Sequence, residues 1–161
     1  LNEEIDLLDF GCGLSHLLDY IQSQNLKKIR YSGLDLSSKF TDLSKEKYPK
    51  NTFYCIDILN DPMELPEFDY IVMNGVFTQK RNLTFEEMFD YFKKLIQAVF
   101  EKANKGIAFN VMSKQVDWEK EGSFHLSFDV LAEFLAQQIS RKFTFCHNYG
   151  LYEYTTYVYK N

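Results

Sequence analysis

Two kinds of segment alternate along this chain, and they differ in how their apolar and polar positions are spaced. Short apolar runs of strand length are each followed by a segment whose apolar residues recur every three or four positions, as on one face of a helix. Five such runs predict strands: one that ends at Asp9, then residues 29–34, 53–56, 68–73 and 107–112. Strands that alternate with helices predict an α/β protein with a mainly parallel sheet.

Four segments carry the helical period. They run from about residue 14 to 24, from Ser37 through 48, from about 85 to 102, and from about 128 to 140. The third is the strongest, because Thr84 and Glu87 have the spacing of a capping box, and its aromatic stripe is predicted to pack in the core. Two prolines in residues 59–66 leave little room for a long helix between the third and fourth strands.

The C-terminal part predicts a β-hairpin. Strands at residues 142–147 and 152–159 are close enough along the chain to pair antiparallel. Because side chains alternate between the faces of a strand, the tyrosines of the second strand divide into two pairs: Tyr152 with Tyr154, and Tyr157 with Tyr159. This division predicts a hairpin that is buried or half-buried between helices.

Composition argues against several classes of function. The chain has 161 residues, enough for one domain with a core of ordinary size, and a net charge of −5. Nucleic acids and anionic membranes require clustered Lys and Arg, so this acidity argues against both partners. Three cysteines without a Cys-x-x-Cys spacing indicate neither a disulfide framework nor a zinc site and fit a reduced, cytoplasmic setting. No apolar run approaches the roughly 20 residues of a membrane span.

A glycine turn follows the first strand. In Asp9-Phe10-Gly11-Cys12-Gly13 the strand ends in an acid, and two glycines allow the positive φ angles and open backbone of a sharp turn beneath a ligand. The next helix points its free N–H groups and positive dipole end at the same place. A nucleotide-like ligand is the natural occupant of such a turn, and a plain strand-to-helix connection is the alternative.

Three later strands also end in polar side chains. Asp35 follows the second strand, Asp57 the third and Asn74 the fourth. In an open α/β sheet the ligand lies outside the carboxyl ends of the strands, where these groups converge. A carboxylate matches the two hydroxyl donors of a ribose. Neither a Gly-Lys-Ser/Thr triplet nor a third glycine follows the turn, so the acids favour a sulfonium over a pyrophosphate.

Together these motifs resemble the class I S-adenosylmethionine-dependent methyltransferases. The resemblance rests on residues 9–13, 35, 57–58 and 68–75, and it covers nearly all of residues 1–161 in order. It implies one domain with a three-layer αβα sandwich, whose seven-stranded, mostly parallel sheet has one antiparallel strand. Related enzymes usually carry a helix before the first strand, and because this sequence starts at Leu1, almost on that strand, we expect that segment to be missing here.

The resemblance implies a cofactor site at these strand ends, formed by Asp9, Gly11, Cys12, Gly13, Asp35, Leu36, Asp57, Ile58, Asn74 and Gly75. In the family, the acid and glycines of the first motif hold the methionine part of S-adenosylmethionine, and the carboxylate after the second strand takes both ribose hydroxyls. The acid after the third strand meets the adenine amino group, and the next residue packs on the ring. Ser15 stands where many members have a third glycine. The reaction needs no metal.

Acceptor-binding side chains are expected from two loops at the same strand ends, residues 74–81 and 113–126. Phe77 lies in the first loop, and Asp117, Trp118 and His125 lie in the second. His125 is the candidate general base, because histidine titrates near neutral pH and takes a proton from a hydroxyl or amine. Trp118 would wall the pocket. The alternatives are a surface or helix-entry histidine, a packing tryptophan and a solvated loop acid.

The predicted function is methyl transfer to a small-molecule acceptor in a bacterial cytoplasm, by a direct in-line displacement that depends on positioning and desolvation. Two alternatives stay open: a non-catalytic or partner-dependent cofactor-binding module of the same fold, and a nicotinamide-dependent oxidoreductase. The hairpin and the position of Asp57 disfavour the second. Residues 74–77 read Asn-Gly-Val-Phe and lack the Asn-Pro-Pro-Tyr-like tetrapeptide of enzymes that methylate nucleobase amino groups, so nucleic-acid methylation is not expected.

Overall fold

The parallel part of the sheet contains the first five strands. The computed structural model describes residues 3–160, and these strands are β1 (Ile5–Phe10), β2 (Ile29–Leu34), β3 (Thr52–Tyr54), β4 (Phe68–Met73) and β5 (Ala103–Ser113). They pair in the order β3-β2-β1-β4-β5. The chain order reverses between β1 and β4, so a crevice opens at the carboxyl ends of these two strands, as in other open α/β sheets.

The predicted hairpin extends the sheet beyond β5. A two-residue strand, β6 (His125–Leu126), pairs parallel to the end of β5, and the hairpin strands are β7 (Phe143–Cys146) and β8 (Glu153–Tyr159). Strand β8 is antiparallel to both β5 and β7. The α/β fold with a mainly parallel sheet and one antiparallel strand is confirmed. Strand β6 is an addition, because its residues were expected in a loop.

Helices pack on both faces of the sheet. They are α1 (His16–Ser23), α2 (Ser38–Lys47), α3 (Phe85–Glu101) and α4 (Phe128–Gln138), and a short 3₁₀ turn lies at Pro62–Glu64. Helix α1 packs on one face through Leu18 and Ile21, and α3 and α4 pack on the other. The capping box predicted at Thr84 and Glu87 is formed. Within residues 3–160, no helix is long and apolar enough to cross a membrane.

An aromatic cluster fills the core on the side of α3 and α4. Phe77, Phe92 and Phe109 are almost completely buried, and their rings meet edge to face with centroids 4.6 to 6.1 Å apart. Phe124 also packs on Phe92. Aromatic pairs in this geometry attract each other beyond the area that they bury. Phe77 follows β4 and Phe124 precedes β6, so the cluster holds both of these loops against the core.

The hairpin is covered by helices on one face only. Tyr154 is fully buried on the side of α4, whereas Tyr157 and Tyr159 are 39% and 42% exposed on the opposite face. There they form an apolar surface with Tyr70 and Ala108. The prediction of a hairpin between helices is therefore wrong for this face, because none of the described helices packs on it.

Candidate active site

The glycine turn between β1 and α1 is tied to the end of β2. Gly11 and Gly13 have φ angles of +77° and +51°. The N–H groups of Gly11 and Cys12 donate to the carbonyl of Leu34 at 2.7 and 2.9 Å. The N–H group of Gly13 donates to Oδ2 of Asp35 at 3.0 Å. The turn and the acid after β2 therefore form one connected unit at the carboxyl end of the sheet.

Asp9 is a buried carboxylate at the base of this turn. It is 5% exposed, and its Oδ2 accepts a hydrogen bond of 2.7 Å from the hydroxyl of Tyr31. Burial raises the pKa of Asp9 to about 6 although the Tyr31 hydrogen bond lowers it, because the charged form is costly away from water. Burial, with the negative charges of Asp9 and Asp35, also raises the pKa of the Cys12 thiol to about 12. Because the thiolate is the nucleophilic form, this raised pKa disfavours a nucleophilic role for Cys12 at neutral pH.

A cleft of about 380 Å³ opens over the turn. It is lined by the buried acid, the two glycines and the end of β4, among others: Asp9, Gly11, Cys12, Gly13, Leu14, His16, Leu17, Phe40 and Asn74. A Cβ atom added to Gly13 would meet nothing within 4 Å, so this glycine leaves its backbone open to a ligand. The lining includes a buried acid and no Lys or Arg. The cleft therefore suits a ligand that carries positive charge.

Strand β6 places His125 beyond the end of β4. Met112 pairs with His125 on one side and with Glu153 on the other, so β6 lies on the side of β5 that β4 occupies. The pairing of β4 with β5 ends at Met73 and Phe109. Met112 is three residues further along β5, which corresponds to about 10 Å. His125 therefore continues the column of β4 at its carboxyl end.

His125 and Asp9 face the same side of the sheet. Paired residues share a face, and pairing connects Asp9 with Val72 and Val72 with Ala108. Met112 follows Ala108 by four residues on the same strand, so it faces the same way, and so does its partner His125. The cleft over the glycine turn and the side chain of His125 therefore lie on one side of the sheet.

A hydrogen bond fixes the tautomer of His125. Its Nδ1 lies 2.6 Å from the carbonyl oxygen of Ser113. A carbonyl only accepts, so Nδ1 carries a proton, and in the neutral imidazole Nε2 then presents a lone pair. His125 is 4% exposed, and Nε2 is buried with no hydrogen-bond partner among residues 3–160. Because an unsatisfied buried acceptor costs about 1–3 kcal/mol, a ligand that donates to Nε2 gains from this arrangement.

A second cavity, of about 270 Å³, borders His125. We call it the Trp118 cavity, and its lining is Met112, Val116, Asp117, Trp118, Lys120, Ser123, His125 and Tyr152. The three candidate acceptor residues of the second loop, Asp117, Trp118 and His125, are thus brought to one place. His125 is buried and hydrogen-bonded, so it is not a surface histidine. It lies two residues before Ser127, the N-cap of α4, so the alternative of a helix-entry histidine agrees with its position.

A family model described as a methyltransferase domain matches residues 8–105. The matched segment runs from β1 into β5 and spans more than half of the chain. The chain belongs to the methyltransferase domain family. The cofactor of this family is S-adenosylmethionine, as the resemblance implied.

Individual relatives of this methyltransferase domain agree with the family. Rv1506c of Mycobacterium tuberculosis, whose methyltransferase name is itself provisional, is 24% identical over 157 residues, which cover 94% of this chain and 91% of that protein. Magnesium protoporphyrin IX methyltransferase from Synechocystis PCC 6803, crystallised with bound S-adenosylmethionine, matches with a TM-score of 0.67 and 14% identity over 99% of this chain and 71% of that one. Human N-acetylserotonin methyltransferase matches with a TM-score of 0.71 and 15% identity over 96% of this chain and 47% of that one. These structures establish the class I fold.

In this methyltransferase domain, Ser15 stands at the third position of the glycine motif and has a left-handed backbone conformation that is typical of glycine. Ser15 is fully buried with a φ of +61°. Its hydroxyl donates to Oγ of Ser44 at 2.9 Å, and Ser44 Oγ donates to the carbonyl of Gly13 at 3.1 Å. These bonds connect α2 to the turn and offset the cost of roughly 1–2 kcal/mol of a left-handed residue that has a side chain.

Two substitutions separate these contributions of Ser15. We expect Ser15→Ala to lower the free energy of unfolding by about 1 kcal/mol, because it removes a hydrogen bond and keeps the strained backbone. Ser15→Gly is expected to lower it less, because glycine adopts the positive φ without strain. Urea unfolding of both variants beside the unmodified protein measures the difference. A greater loss in Ser15→Gly would contradict this explanation.

The acids after β2 and β3 hold local turns together. Asp35 accepts from the N–H groups of Gly13 and Ser37, at 3.0 and 2.9 Å, which fixes its carboxylate at the rim of the glycine turn. Asp57 accepts from the N–H of Leu59 at 3.0 Å. Asp35 directly follows β2, as the sequence predicts, whereas Asp57 lies three residues beyond the end of β3, because this strand ends at Tyr54 and not at residue 56.

Leu36 and Ile58, two residues of the predicted cofactor site, differ in their exposure to solvent. Leu36 is 62% exposed beside Asp35, whereas Ile58 is 1% exposed and packs in the core. The side chain of Ile58 is therefore not available to pack on an adenine ring. Phe77 is removed from the candidate acceptor residues for the same reason, because it lies at the centre of the aromatic cluster with no exposed surface.

Sequence reasoning missed a chain of hydrogen bonds that connects the turn at Asn74 and Gly75 to β5 and β8. Gly75 has a φ of +75°, and its N–H donates to Oδ1 of Asn110 at 2.7 Å. Asn110 is 5% exposed, and its amide group donates to Glu153 at 2.8 Å. These hydrogen bonds fix the turn after β4 at the edge of the cleft over the glycine turn. Their only sequence signal is an asparagine inside the apolar run of β5.

No metal site accompanies these cavities in the part of the chain that the structure describes. Among residues 3–160, no group of three or more His, Cys, Asp or Glu side chains has an arrangement that could hold a metal ion.

Proposed function

We propose that this protein transfers a methyl group from S-adenosylmethionine to a small-molecule acceptor. The observation that carries the proposal is the shared face of the sheet: the cleft at Asp9 and the Trp118 cavity both lie on it, at the carboxyl ends of the strands. Two ligands held there can meet between β4 and β6. Holding two reactants in line is most of what a direct displacement requires.

The residues of the cleft fit S-adenosylmethionine, which supplies a methyl group on a positively charged sulfur. Asp9 provides a negative charge beneath the cleft, and Gly13 leaves its backbone open to the ligand, whereas a side chain at Gly11 would collide with Val76. The carboxylate of Asp35 retains lone pairs beyond the two N–H groups that orient it, and these suit the ribose hydroxyls. We assign the adenine amino group to Asp57.

The acceptor side of the proposal uses the Trp118 cavity. Its volume of about 270 Å³ suits a small molecule. His125 receives the proton of the acceptor on Nε2, while Trp118 and Asp117 line the cavity.

The net charge of −5 supports an acceptor other than nucleic acid. Free cysteines at positions 12, 55 and 146 and a bacterial relative support a bacterial cytoplasm.

Calorimetric titration with S-adenosylmethionine, S-adenosylhomocysteine and NADH, side by side, tests the cofactor. We expect micromolar binding of the first two and none of NADH. Binding of NADH alone would refute the proposal. Binding of the first two without methylation of any acceptor, across a broad panel, would instead favour a non-catalytic cofactor-binding module.

Replacing Asp35 tests the ribose site. We expect Asp35→Ala to weaken binding of S-adenosylhomocysteine by about 2 kcal/mol, or roughly thirtyfold, because hydrogen bonds to a charged group are lost. Asp42→Ala, which removes an exposed acid from α2, is the matched control and should bind normally. Calorimetry measures both, and an unchanged affinity in Asp35→Ala would remove the residue from the site.

A further inference from the structure

The Trp118 cavity holds a feature that restricts the chemistry of its ligand. His125 presents Nε2 as an acceptor because its Nδ1 proton is committed to the carbonyl of Ser113. We propose that the acceptor molecule is an aromatic compound with a free hydroxyl, whose ring lies in the Trp118 cavity and whose O–H donates to Nε2 of His125. This inference rests on the proposed methyltransferase function and names its substrate class.

The hydroxyl follows from two requirements: a hydrogen-bond donor for Nε2 of His125, and a proton that an imidazole can remove. An acceptor-only nitrogen needs a donor, and an ionised carboxylate has none to offer. A carboxylate placed there would leave Nε2 unpaired and set two lone pairs against each other. A phenolic O–H donates readily and gives up its proton far more easily than an aliphatic alcohol, which suits removal by an imidazole.

The aromatic ring follows from the walls of the cavity. Trp118 and Tyr152 are 73% and 64% exposed, and both line the cavity together with His125. Met112 and Val116 add aliphatic surface. Cavities of about 150 Å³ are large enough for a benzene molecule, so about 270 Å³ accommodates a substituted ring. Stacking a ring there would cover apolar surface that is now in water.

The charges around the cavity favour a neutral ligand. Asp117 and Lys120 both line it and carry opposite signs. Lys114 and Glu119, on the same loop, form an ion pair of 3.7 Å. These four side chains therefore carry no net charge together.

The reaction balances with groups already named. The acceptor oxygen forms a bond to the methyl carbon while the carbon–sulfur bond breaks, and the electron pair of that bond stays on sulfur. The phenolic proton goes to Nε2 of His125 and from there to solvent. The products are an aryl methyl ether and S-adenosylhomocysteine.

A set of matched nitroaromatic probes tests the inference without knowledge of the natural acceptor. 4-Nitrophenol has the O–H, 4-nitroanisole has a methyl ether in its place, 4-nitrobenzoate has a carboxylate and 4-nitroaniline has an amine. Each is titrated into the full chain saturated with S-adenosylhomocysteine, at a pH where free 4-nitrophenol is protonated. Nitroaromatic rings quench tryptophan emission, and Trp118 is the only tryptophan in the chain, so quenching reports binding at this cavity.

We expect 4-nitrophenol to bind about tenfold more tightly than 4-nitroanisole and 4-nitrobenzoate, which have no donor for Nε2, and this difference is the effect of one hydrogen bond. We also expect it to bind more tightly than 4-nitroaniline, because the N–H groups of the amine are weaker donors than a phenolic O–H. The absorption band of 4-nitrophenol should shift towards that of the phenolate as the proton moves to His125. His125→Phe keeps the ring and removes Nε2, so it should abolish both the preference and the band shift. His147→Phe, the same change at an exposed histidine outside the cavity, should keep both.

The outcomes separate this inference from the proposed function. S-adenosylhomocysteine binding is measured first in every variant, which shows that the fold and the cofactor site are intact. If that binding is normal and 4-nitrophenol shows no preference over 4-nitroanisole, the substrate class is wrong while the methyltransferase function stands. Tighter binding of 4-nitroaniline or 4-nitrobenzoate would equally overturn the hydroxyl assignment. Failure to bind S-adenosylhomocysteine in the unmodified chain would refute the proposed function itself.

Discussion

Phe77→Ala is expected to lower the free energy of unfolding by about 3–5 kcal/mol, the range observed when a buried aromatic side chain is truncated and leaves a cavity. Phe77 is completely buried and contacts the rings of Phe92 and Phe109 at centroid distances of 4.6 and 6.1 Å. A loss of that size is a large part of the total stability of a domain. Urea unfolding followed by circular dichroism measures it.

The matched comparison for Phe77 is Tyr152→Ala. Tyr152 is 64% exposed and lines the Trp118 cavity, so its loss should weaken 4-nitrophenol binding and leave stability nearly unchanged. The fraction of Phe77→Ala that remains folded should bind 4-nitrophenol normally. If Phe77→Ala weakened ligand binding without loss of stability, the residue would return to the acceptor site.

The features from which the cofactor half of the site is proposed could be read from the sequence because their signals are local. A strand that ends in an acid, followed by two glycines, is readable in five residues, and the polar ends of β2 to β4 follow from the strand assignments. Parallel pairing then brings these ends together without any further information. Ser15 shows the limit of that reasoning, because its left-handed backbone depends on a hydrogen bond to Ser44, 29 residues away.

The acceptor half depends on contacts that leave no pattern in the sequence. Strand β6 has two residues, too few to show alternation, and it forms because Met112 and Ser113 offer it a free edge beyond the end of β4. That pairing orients His125 and commits its Nδ1 proton to Ser113. Phe77 was misassigned since a loop position implies exposure, whereas the aromatic cluster draws this residue into the core.

Asp9→Asn is expected to stabilise the free protein while it weakens cofactor binding. The folded state raises the pKa of Asp9 from 3.8 to about 6. Below about pH 4 the carboxyl is protonated in both the folded and unfolded states, and its burial costs nothing extra. Between pH 4 and 6 the unfolded state loses its proton first, so stability falls as the pH rises, and above pH 6 the cost is complete. At one pKa unit per 1.36 kcal/mol, asparagine should raise the free energy of unfolding at neutral pH by about 1–3 kcal/mol.

The stability difference between Asp9→Asn and the unmodified protein should therefore vanish near pH 4, grow to pH 6 and stay constant above it. The amide side chain of the variant can still accept the hydrogen bond of Tyr31, but it offers no charge to the ligand, so S-adenosylmethionine should bind at least tenfold more weakly at neutral pH. In the unmodified protein that affinity should fall as the pH drops below 6, and in the variant this dependence should disappear. His16 also lines the cleft, so the comparison between the two proteins, and not either profile alone, isolates Asp9. A variant that is no more stable, or that keeps the same pH dependence of binding, would show that the charge of Asp9 is already balanced within the fold and is not reserved for the ligand.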